Sequence, residues 1–281
     1  MIVLINYANA LYRKGQKLNS RSGKKAGLFD SVIPYSPKDI EPAFYEKNNN
    51  ILSQERGNGY WLWKPYIIKK TLKMLNENDF LFYCDSGAHF IEPITPLVDL
   101  SLKNQQDILV FELQAQEKVW TKRDAFVLMD CDEPKYSESK QRLASFSLWK
   151  KTNYTLDFID EYLHYAQDER LITDLDNQCA QSNYPEFKDH RHDQSIFSLL
   201  TKKHNLEAYR DPSQWGNDMK DQYTNSSYPQ LIEHTRKRGK PPLSKRIRNR
   251  VGILTQGIGK PGLFHSRQMR HRVLRVVGVV D

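Results

Sequence analysis

The feature that most constrains the fold is a short run of apolar residues that ends in a carboxylate. Residues 79–87 read Asp-Phe-Leu-Phe-Tyr-Cys-Asp-Ser-Gly. The apolar part, Phe80 to Cys84, is typical of a strand that is buried on both faces of a sheet. It ends at Asp85, and a carboxylate at the carboxyl end of such a strand lies where open α/β sheets bind ligands. An Asp that caps a turn after the strand is the alternative interpretation.

Strand and helix patterns alternate along the chain. Further strands are predicted at Ile2 to Asn6, Asp30 to Pro37, Asp107 to Leu113 and Ala144 to Trp149. Helices are predicted from Pro65, from Pro93 to Leu102, from Trp120, from Thr152 to Ala166, and in residues 190–200. This alternation predicts an α/β fold with a mostly parallel central sheet.

Composition restricts where such a protein works. The 281 residues suffice for one large domain or two modest ones, and no apolar run approaches the ~20 residues of a membrane span. The N-terminal run resembles a first strand and has no basic leader of a signal peptide. The three cysteines, Cys84, Cys131 and Cys179, are widely spaced, which favours a reducing compartment and argues against a disulfide framework. We therefore expect a cytoplasmic protein.

The positive charge is concentrated near the C-terminus. The net charge is +8, yet 13 of the 42 Lys and Arg lie between Arg236 and Arg275, and the last acidic residue before Asp281 is Glu233. The preceding part therefore carries slightly more acidic than basic residues. We predict one domain over residues 1–236 and a basic C-terminal extension over residues 237–281.

The extension has an amphipathic pattern. Leu243, Ile247, Val251, Leu254 and Ile258 recur at helical spacing among basic residues. This pattern is typical of a helix on an anionic membrane surface, which would place the protein at the inner face of the membrane. A terminal helix packed on the domain is the alternative. A nucleic-acid-binding protein that uses this tail is a further alternative, but the chain has no recognised nucleic-acid motif and we expect no such partner.

Three motifs carry a resemblance to known enzymes. They are Gly-Tyr-Trp-Leu-Trp-Lys-Pro (59–65), Phe-Tyr-Cys-Asp-Ser-Gly (82–87) and His-Arg-His-Asp-Gln-Ser-Ile (190–196). In this order, from Met1 to about Arg236, they resemble a family of glycosyltransferases from capsule and surface-polysaccharide gene clusters of bacteria and from some large viruses. The resemblance implies a GT-A type fold, a nucleotide-sugar donor carrying UDP, a glycan or lipid-linked acceptor, and often Mn²⁺ or Mg²⁺.

The expected metal site departs from the broader GT-A pattern. That pattern has two carboxylates separated by one residue, whereas this chain has Asp85 and then Gly87. A metal at Asp85 would therefore need other oxygen or imidazole ligands. In many GT-A enzymes a C-terminal His completes the metal shell, and His234 is the candidate here, since imidazole with carboxylate and phosphate oxygens suits Mn²⁺. The alternative for His234 is an ordinary surface residue. Because Gly87 replaces the second carboxylate, an inactive scaffold with a glycosyltransferase-like fold is an alternative to an active enzyme.

Several residues are candidates for binding the donor nucleotide beside Asp85. Lys64 and Lys122 are expected in loops before helices, where they would neutralise phosphate together with backbone N–H groups. A solvated lysine is the alternative for each. Asn58 lies in the Gly-containing loop before Lys64. Trp61 and Trp63 have faces that suit a nucleobase or sugar ring, but we expect at least one of them in the core.

Asp193 and Gln194 are the catalytic candidates. Asp193 is expected at the start of a helix, where an Asp that only caps the helix is the alternative. The resemblance implies that this region supplies the base in inverting enzymes, or an Asp-Gln pair beside the reacting sugar in retaining ones. The sequence leaves both open. A zinc site at His190 and His192 is not expected, because no second cluster has ligand spacing.

Overall fold

Residues 1–235 are described by a computed structural model. The predicted boundary at Arg236 and the basic extension of residues 237–281, with its expected membrane contact, lie outside the described residues. Within the described part, no helix is long and apolar enough to cross a membrane.

The strands form one large sheet and one small sheet. The strands are β1 (Ile2–Tyr7), β2 (Ser31–Tyr35), β3 (Phe80–Cys84), β4 (Ala88–Phe90), β5 (Ile108–Gln116), β6 (Lys140–Arg142), β7 (Phe146–Lys150), β8 (Ala208–Arg210) and β9 (Ile232–His234). The large sheet has the order β2-β1-β3-β7-β5-β6, and β8 also pairs with β5. β1, β2, β3, β5 and β8 point in one direction and β6 and β7 in the other. The expected α/β class with a mostly parallel sheet is therefore confirmed.

Helices connect the strands and cover the sheet. They are α1 (Arg13–Ser22), α2 (Pro42–Lys47), α3 (Asn49–Leu52), α4 (Gly57–Tyr60), α5 (Trp63–Leu72), α6 (Thr95–Asn104), α7 (Glu117–Trp120), α8 (Arg123–Leu128), α9 (Pro134–Ser137), α10 (Asn153–Ala166), α11 (Glu169–Ile172) and α12 (Asp193–Lys203). A π-helical turn spans Gly23–Gly27, and 3₁₀ turns span Pro37–Asp39 and Gln214–Gln222. The longer helices after β2 lie where the apolar spacing predicts them. One exception in detail is α5, which begins at Trp63 and so includes Lys64 in its first turn.

The central strand β3 is buried on both faces, as its composition predicts. Leu81 and Tyr83 belong to one core cluster, which also contains residues of α5, α10 and α12. Phe80, Phe82 and Cys84 belong to the other cluster, with residues of α6 and β4. Because alternate residues of a strand face opposite sides, two covered faces require an uninterrupted apolar run.

The strand order places a crevice beside Asp85. β1 lies between β2 and β3, so the chain passes to one side of β1 to form β2 and then returns to the other side to form β3. At such a switch point the connections diverge at the carboxyl ends of the strands and leave room for a ligand. Residues that follow β1 and β3 are therefore the first to consider for a binding site.

Candidate functional site

A cavity of about 720 Å³, the first cavity below, lies at the carboxyl ends of β1 and β3. Its walls include residues 7–9 at the end of β1, the turn at residues 85–87 after β3, part of the segment before α5, and His234. Both its volume and its position at the switch point are typical of small-molecule sites.

Asp85 is the carboxylate that β3 brings to this cavity. Its backbone N–H donates to the carbonyl of Ser145 at 2.8 Å, which fixes the turn. The Tyr83 hydroxyl donates to Oδ1 of Asp85. Burial, followed by the Asp85 charge, raises the pKa of Tyr83 well above its ordinary value, so the phenol keeps its proton. The Asp85 side chain is 32% exposed and is accessible to a ligand.

The turn after Asp85 is built to leave space. The Ser86 hydroxyl donates to the carbonyl of Tyr7 at 2.6 Å and ties the turn to β1. A Cβ placed on Gly87 would meet no atom within 4 Å. Gly87 lines the first cavity, so a side chain at this position would point into open space. The backbone at position 87 therefore does not require glycine for steric reasons, and Gly87 leaves free volume where a second carboxylate would fit.

Behind Asp85, Lys64 and Asp193 form a buried ion pair. Lys64 Nζ lies 2.5 Å from Oδ2 of Asp193 and 3.8 Å from Oδ1 of Asp85. It also donates to the carbonyl of Ala144 at 3.0 Å. Lys64 therefore neutralises protein carboxylates and does not line the first cavity. Lys64 does not lie in the expected loop before a helix, because α5 begins two residues earlier than Pro65 and packs this turn against the start of α12.

Burial and charge oppose each other in this pair. Desolvation alone would lower the pKa of Lys64, but the Asp193 and Asp85 carboxylates raise it above its ordinary value. Desolvation raises the pKa of Asp193 to about 6, although the Lys64 charge opposes the shift. Asp193 is the first residue of α12, and the residue before it, His192, makes no side-chain cap hydrogen bond. Asp193, the predicted base, therefore does not line the first cavity, because the Lys64 side chain lies between it and Asp85.

Gln194 joins this pair to a second buried network. Its Nε2 donates to Oε1 of Gln141 at 2.8 Å, and its Oε1 accepts from the backbone N–H of Ala144 at 3.3 Å. Gln141 Nε2 in turn donates to the fully buried Glu117 at 3.0 Å. Lys202 Nζ lies 2.5 Å from the other oxygen of Glu117. Gln194 is therefore held by the protein on both ends of its amide.

The segment before α5 has an unusual backbone. Gly57, Asn58, Gly59, Tyr60 and Trp61 have φ angles of 58°, 56°, 93°, 48° and 61°. The left-handed conformation costs roughly 1–2 kcal/mol for each residue with a Cβ, so tertiary contacts must hold it. One such contact is the hydrogen bond of 2.6 Å from Asn58 Nδ2 to the Tyr7 hydroxyl. We call residues 57–61 the left-handed segment; its Asn58 and Trp61 line the first cavity.

The two tryptophans of the motif have different environments. Trp63 is buried, stacks on the Tyr7 ring at 3.8 Å between centroids, and donates from Nε1 to the carbonyl of Gly57 at 2.9 Å. It belongs to the core, which confirms the expectation for one of the pair. It also lines the first cavity with part of its surface. Trp61 is half-buried, with its ring 5.1 Å from that of His192.

Lys122 and His190 line a second cavity of about 550 Å³. The structure therefore does not bring Lys122 to Asp85. Lys122 precedes α8 as predicted, but its buried Nζ donates to the carbonyl of Leu175 at 2.7 Å. His190 accepts from the Lys122 backbone N–H at Nδ1 and donates from Nε2 to the Leu171 carbonyl at 2.7 Å. Burial holds the pKa of His190 well below its ordinary value, so it is neutral.

His234 is brought to the first cavity by a short strand pair. β4 and β9 are antiparallel, with Ala88 opposite His234, so the imidazole lies beside the turn after Asp85. Asp85 and His234 are suitable donors for Mn²⁺ or Mg²⁺ together with phosphate oxygens. Among residues 1–235, no group of three His, Cys, Asp or Glu side chains converges on a metal position. The protein donors therefore fit only a cation that a bound diphosphate also holds.

Some cavity residues were not singled out from the sequence. Tyr7 is the last residue of β1 and Asn9 follows the strand, while Glu55 and Arg56 precede the left-handed segment. For Tyr7 and Asn9 the sequence does contain an indication, because a polar loop follows the first strand. The order of the sheet places the end of this strand at the switch point. That order, however, is not readable from the strand patterns alone. Arg56 had no such signal, because its position depends on the left-handed turns that follow it.

Comparisons with known proteins give a similarity in structure and none in sequence. No protein-family model matches the chain, and no curated protein matches it. The fold is similar to the crystal structure of mouse xyloside xylosyltransferase 1 in its apo form, with 11% identity and a TM-score of 0.44. The match covers 83% of this chain and 96% of that one. The function proposed below rests on the residues of the site.

Proposed function

We propose that the protein is a glycosyltransferase that moves a sugar, of the hexosyl type, from a nucleotide-diphosphate donor to a glycan or lipid-linked acceptor. The donor we propose is a UDP-sugar, and the process is surface-polysaccharide synthesis. One observation carries the proposal. Asp85, the acid of the Asp-Ser-Gly motif, faces the first cavity at the switch point of the sheet, beside His234 and the left-handed segment.

The first cavity offers groups of the type a nucleotide needs. The Asp85 carboxylate can accept hydrogen bonds from ribose hydroxyls, and the amides of Asn9 and Asn58 can donate to or accept from a base or sugar. The half-buried Trp61 supplies apolar ring surface for stacking, while the buried Trp63 forms part of the cavity wall. The backbone strain of the left-handed segment supports this assignment, since such strain is concentrated at ligand clamps and active sites.

A divalent cation fits the proposal but is not required by it. Asp85 and His234 would hold Mn²⁺ or Mg²⁺ together with two oxygens of the diphosphate. When bound, the ion would neutralise charge on the leaving diphosphate. Arg56 is a cationic side chain at the same cavity, 44% exposed and paired with Asp174 and Asp189.

The roles of the remaining residues follow from the bonds that the transfer forms and breaks. An acceptor hydroxyl oxygen bonds to the anomeric carbon, the bond from that carbon to the diphosphate breaks, and the nucleoside diphosphate leaves with the electron pair. The hydroxyl proton goes to a carboxylate in inverting transfer or to the leaving diphosphate in retaining transfer. Because Asp85 lines the first cavity and Lys64 and Asp193 do not, we assign Asp85 to direct contact with the donor. Lys64 and Asp193 then act as positioning residues that fix Asp85 from behind.

A ligand screen tests the proposal. The full chain is heated with a panel of UDP-, GDP-, CMP- and dTDP-sugars, each with and without Mn²⁺. A donor present at 100-fold its Kd stabilises the protein by ~2.7 kcal/mol, which is a visible shift in Tm. We expect a UDP-sugar to give the largest shift. If no nucleotide sugar or nucleoside diphosphate shifts the Tm, with or without the metal, the proposed function is wrong.

A further inference from the structure

The second cavity adjoins the first and shares one wall with it. Arg56 lines both cavities, and its guanidinium pairs with Asp174 at 2.8 Å and Asp189 at 3.1 Å, both of which line the second. Asp174 also accepts from the Tyr60 hydroxyl at 3.0 Å. The left-handed segment therefore lines the first cavity with Asn58 and is hydrogen-bonded through Tyr60 to a residue that lines the second.

Burial and hydrogen bonds within the protein hold the floor and the rim of the second cavity. Its floor includes Lys122 and His190, which are both 3% exposed. Its rim is the loop between α11 and α12, residues 173–192. Asp124, which is fully buried, accepts the backbone N–H groups of Gln178 at 2.9 Å and Cys179 at 2.8 Å and so holds this loop. A cavity with so rigid a frame binds a ligand without first having to order its own side chains.

The charges of the second cavity disfavour an anion. Its lining contains the acids Asp174, Asp176 and Asp189 and the bases Arg56 and Lys122. Both bases are already engaged, Arg56 by two of the carboxylates and Lys122 Nζ by the Leu175 carbonyl. Asp176 makes no ion pair among the residues that the structure describes. The net charge of the lining is therefore slightly negative, and it would repel a phosphate or a uronic acid.

The groups that remain available suit neutral hydroxyls. In the described part of the chain, the side chains of Asp176, Gln181 and Ser182 have no hydrogen-bond partner within the protein, and all three are exposed on the rim. Carboxylate, amide and hydroxyl groups are donors and acceptors for sugar hydroxyls. Leu175 and Phe187 supply the apolar surface of the lining, which is too little for a lipid chain.

We infer that the second cavity binds the acceptor, and that this acceptor is an uncharged saccharide. The inference rests on the proposed function and narrows its acceptor class. A two-substrate transferase needs two adjoining sites, and the shared Arg56 wall places the second cavity next to the donor. The acceptor hydroxyl then reaches the anomeric carbon at the edge of the left-handed segment, while its other hydroxyls contact the rim.

The test separates acceptor binding from donor binding. Transfer from the donor found in the screen is measured to p-nitrophenyl glycosides of neutral hexoses and to the same glycosides carrying a 6-phosphate. Hydrolysis of the donor without acceptor is measured in parallel. We expect Gln181→Ala and Asp176→Asn to raise the acceptor KM about threefold to tenfold each, the range of one lost hydrogen bond, and to leave donor hydrolysis within twofold of wild type.

Two matched controls accompany these variants. Gln178→Ala removes an exposed amide of the same loop that does not line the cavity, and Asp99→Asn removes an exposed carboxylate of α6. Both are expected to keep the wild-type acceptor KM. We also expect Asp176→Asn to reduce the preference for neutral over phosphorylated glycosides.

Specific results would overturn the inference. An unchanged acceptor KM in Gln181→Ala and Asp176→Asn, or a preference of the wild type for the phosphorylated glycosides, contradicts it while donor hydrolysis still supports the proposed function. A wild-type protein that neither binds nor hydrolyses any nucleotide sugar contradicts the proposed function, and the acceptor assignment with it.

Discussion

Lys64 and Asp193 join the starts of two helices beneath the first cavity. Their charged groups are 2.5 Å apart, and the side chains are 5% and 6% exposed. Lys64 is in the first turn of α5 and Asp193 is the first residue of α12. Because two of the three sequence motifs meet in this contact, the pair explains why they occur together. Asp85, from the remaining motif, lies 3.8 Å from the same ammonium group.

Replacing one member of this ion pair should reduce the unfolding free energy strongly, and replacing both members should reduce it by less than the two single losses combined. Lys64→Met leaves Asp193 buried without its partner, and Asp193→Leu leaves the buried Lys64 with only the more distant Asp85. We expect each single variant to lose about 3–5 kcal/mol of unfolding free energy, measured by urea denaturation. The double variant should be more stable than the sum of the two losses implies. Strictly additive losses would contradict a direct interaction between the two side chains.

The pair also predicts how stability depends on pH. The pKa of Asp193 is about 6 in the folded protein, against an ordinary value of 3.8. Between these values the folded state holds a proton that the unfolded state releases, so stability falls as pH rises. Relative to Asp193→Asn, the wild type should lose on the order of 2 kcal/mol of unfolding free energy between pH 4 and pH 7. A difference that stays constant or grows with pH would mean that Asp193 has no raised pKa.

The left-handed segment should depend on Gly59. Its φ is 93°, and a Cβ there would lie 2.8 Å from the Cα of Leu52. We expect Gly59→Ala to reduce the unfolding free energy by about 1–3 kcal/mol and to weaken donor binding, because the segment forms part of the cavity wall. Gly87→Ala is the matched control, since a Cβ at Gly87 meets nothing within 4 Å. Equal stability of the two variants would show that the segment is not held in this conformation.

The parts of the molecule that the sequence predicts are those that depend on local pattern. β3 is an uninterrupted apolar run because both faces of the sheet are covered. α10 has its apolar face at helical spacing and a Thr152 capping box at its start. The position of Asp85 follows from the same logic, because a strand that ends in a carboxylate delivers it to the sheet edge. Periodicity and capping are sufficient for these features.

The parts that were not predicted depend on contacts between distant segments. Lys64 was expected to face phosphate, and its burial requires knowing that α12 begins beside α5. The conformation of residues 57–61 is held by Tyr7 and Asp174, which no local pattern connects to this segment. The pairing of β4 with β9 involves only three residues on each strand, so its hydrophobic signal is too short to read. Site geometry is set by such contacts, and residue types alone do not reveal it.

A second carboxylate should convert the turn after β3 into a stronger cation site. Gly87→Asp adds an acid that points into open space beside Asp85 and His234. We expect this variant to bind Mn²⁺ at least tenfold more tightly than Gly87→Asn, measured by electron paramagnetic resonance without nucleotide. Adding His234→Ala to the Gly87→Asp variant should reverse part of the gain. Equal Mn²⁺ affinity in the Asp and Asn variants would show that Asp85 and His234 do not converge on one position.

The most direct test of the central claim is donor turnover by Asp85→Asn. The substitution keeps the size of the side chain and removes the charge at the mouth of the first cavity, while Asp99→Asn on α6 serves as the control. With the nucleotide sugar found in the screen, we expect Asp85→Asn to lose about a hundredfold or more in kcat/KM at an unchanged fold by circular dichroism, and Asp99→Asn to match wild type. Turnover by Asp85→Asn at the wild-type rate would contradict the assignment of the first cavity as the donor site.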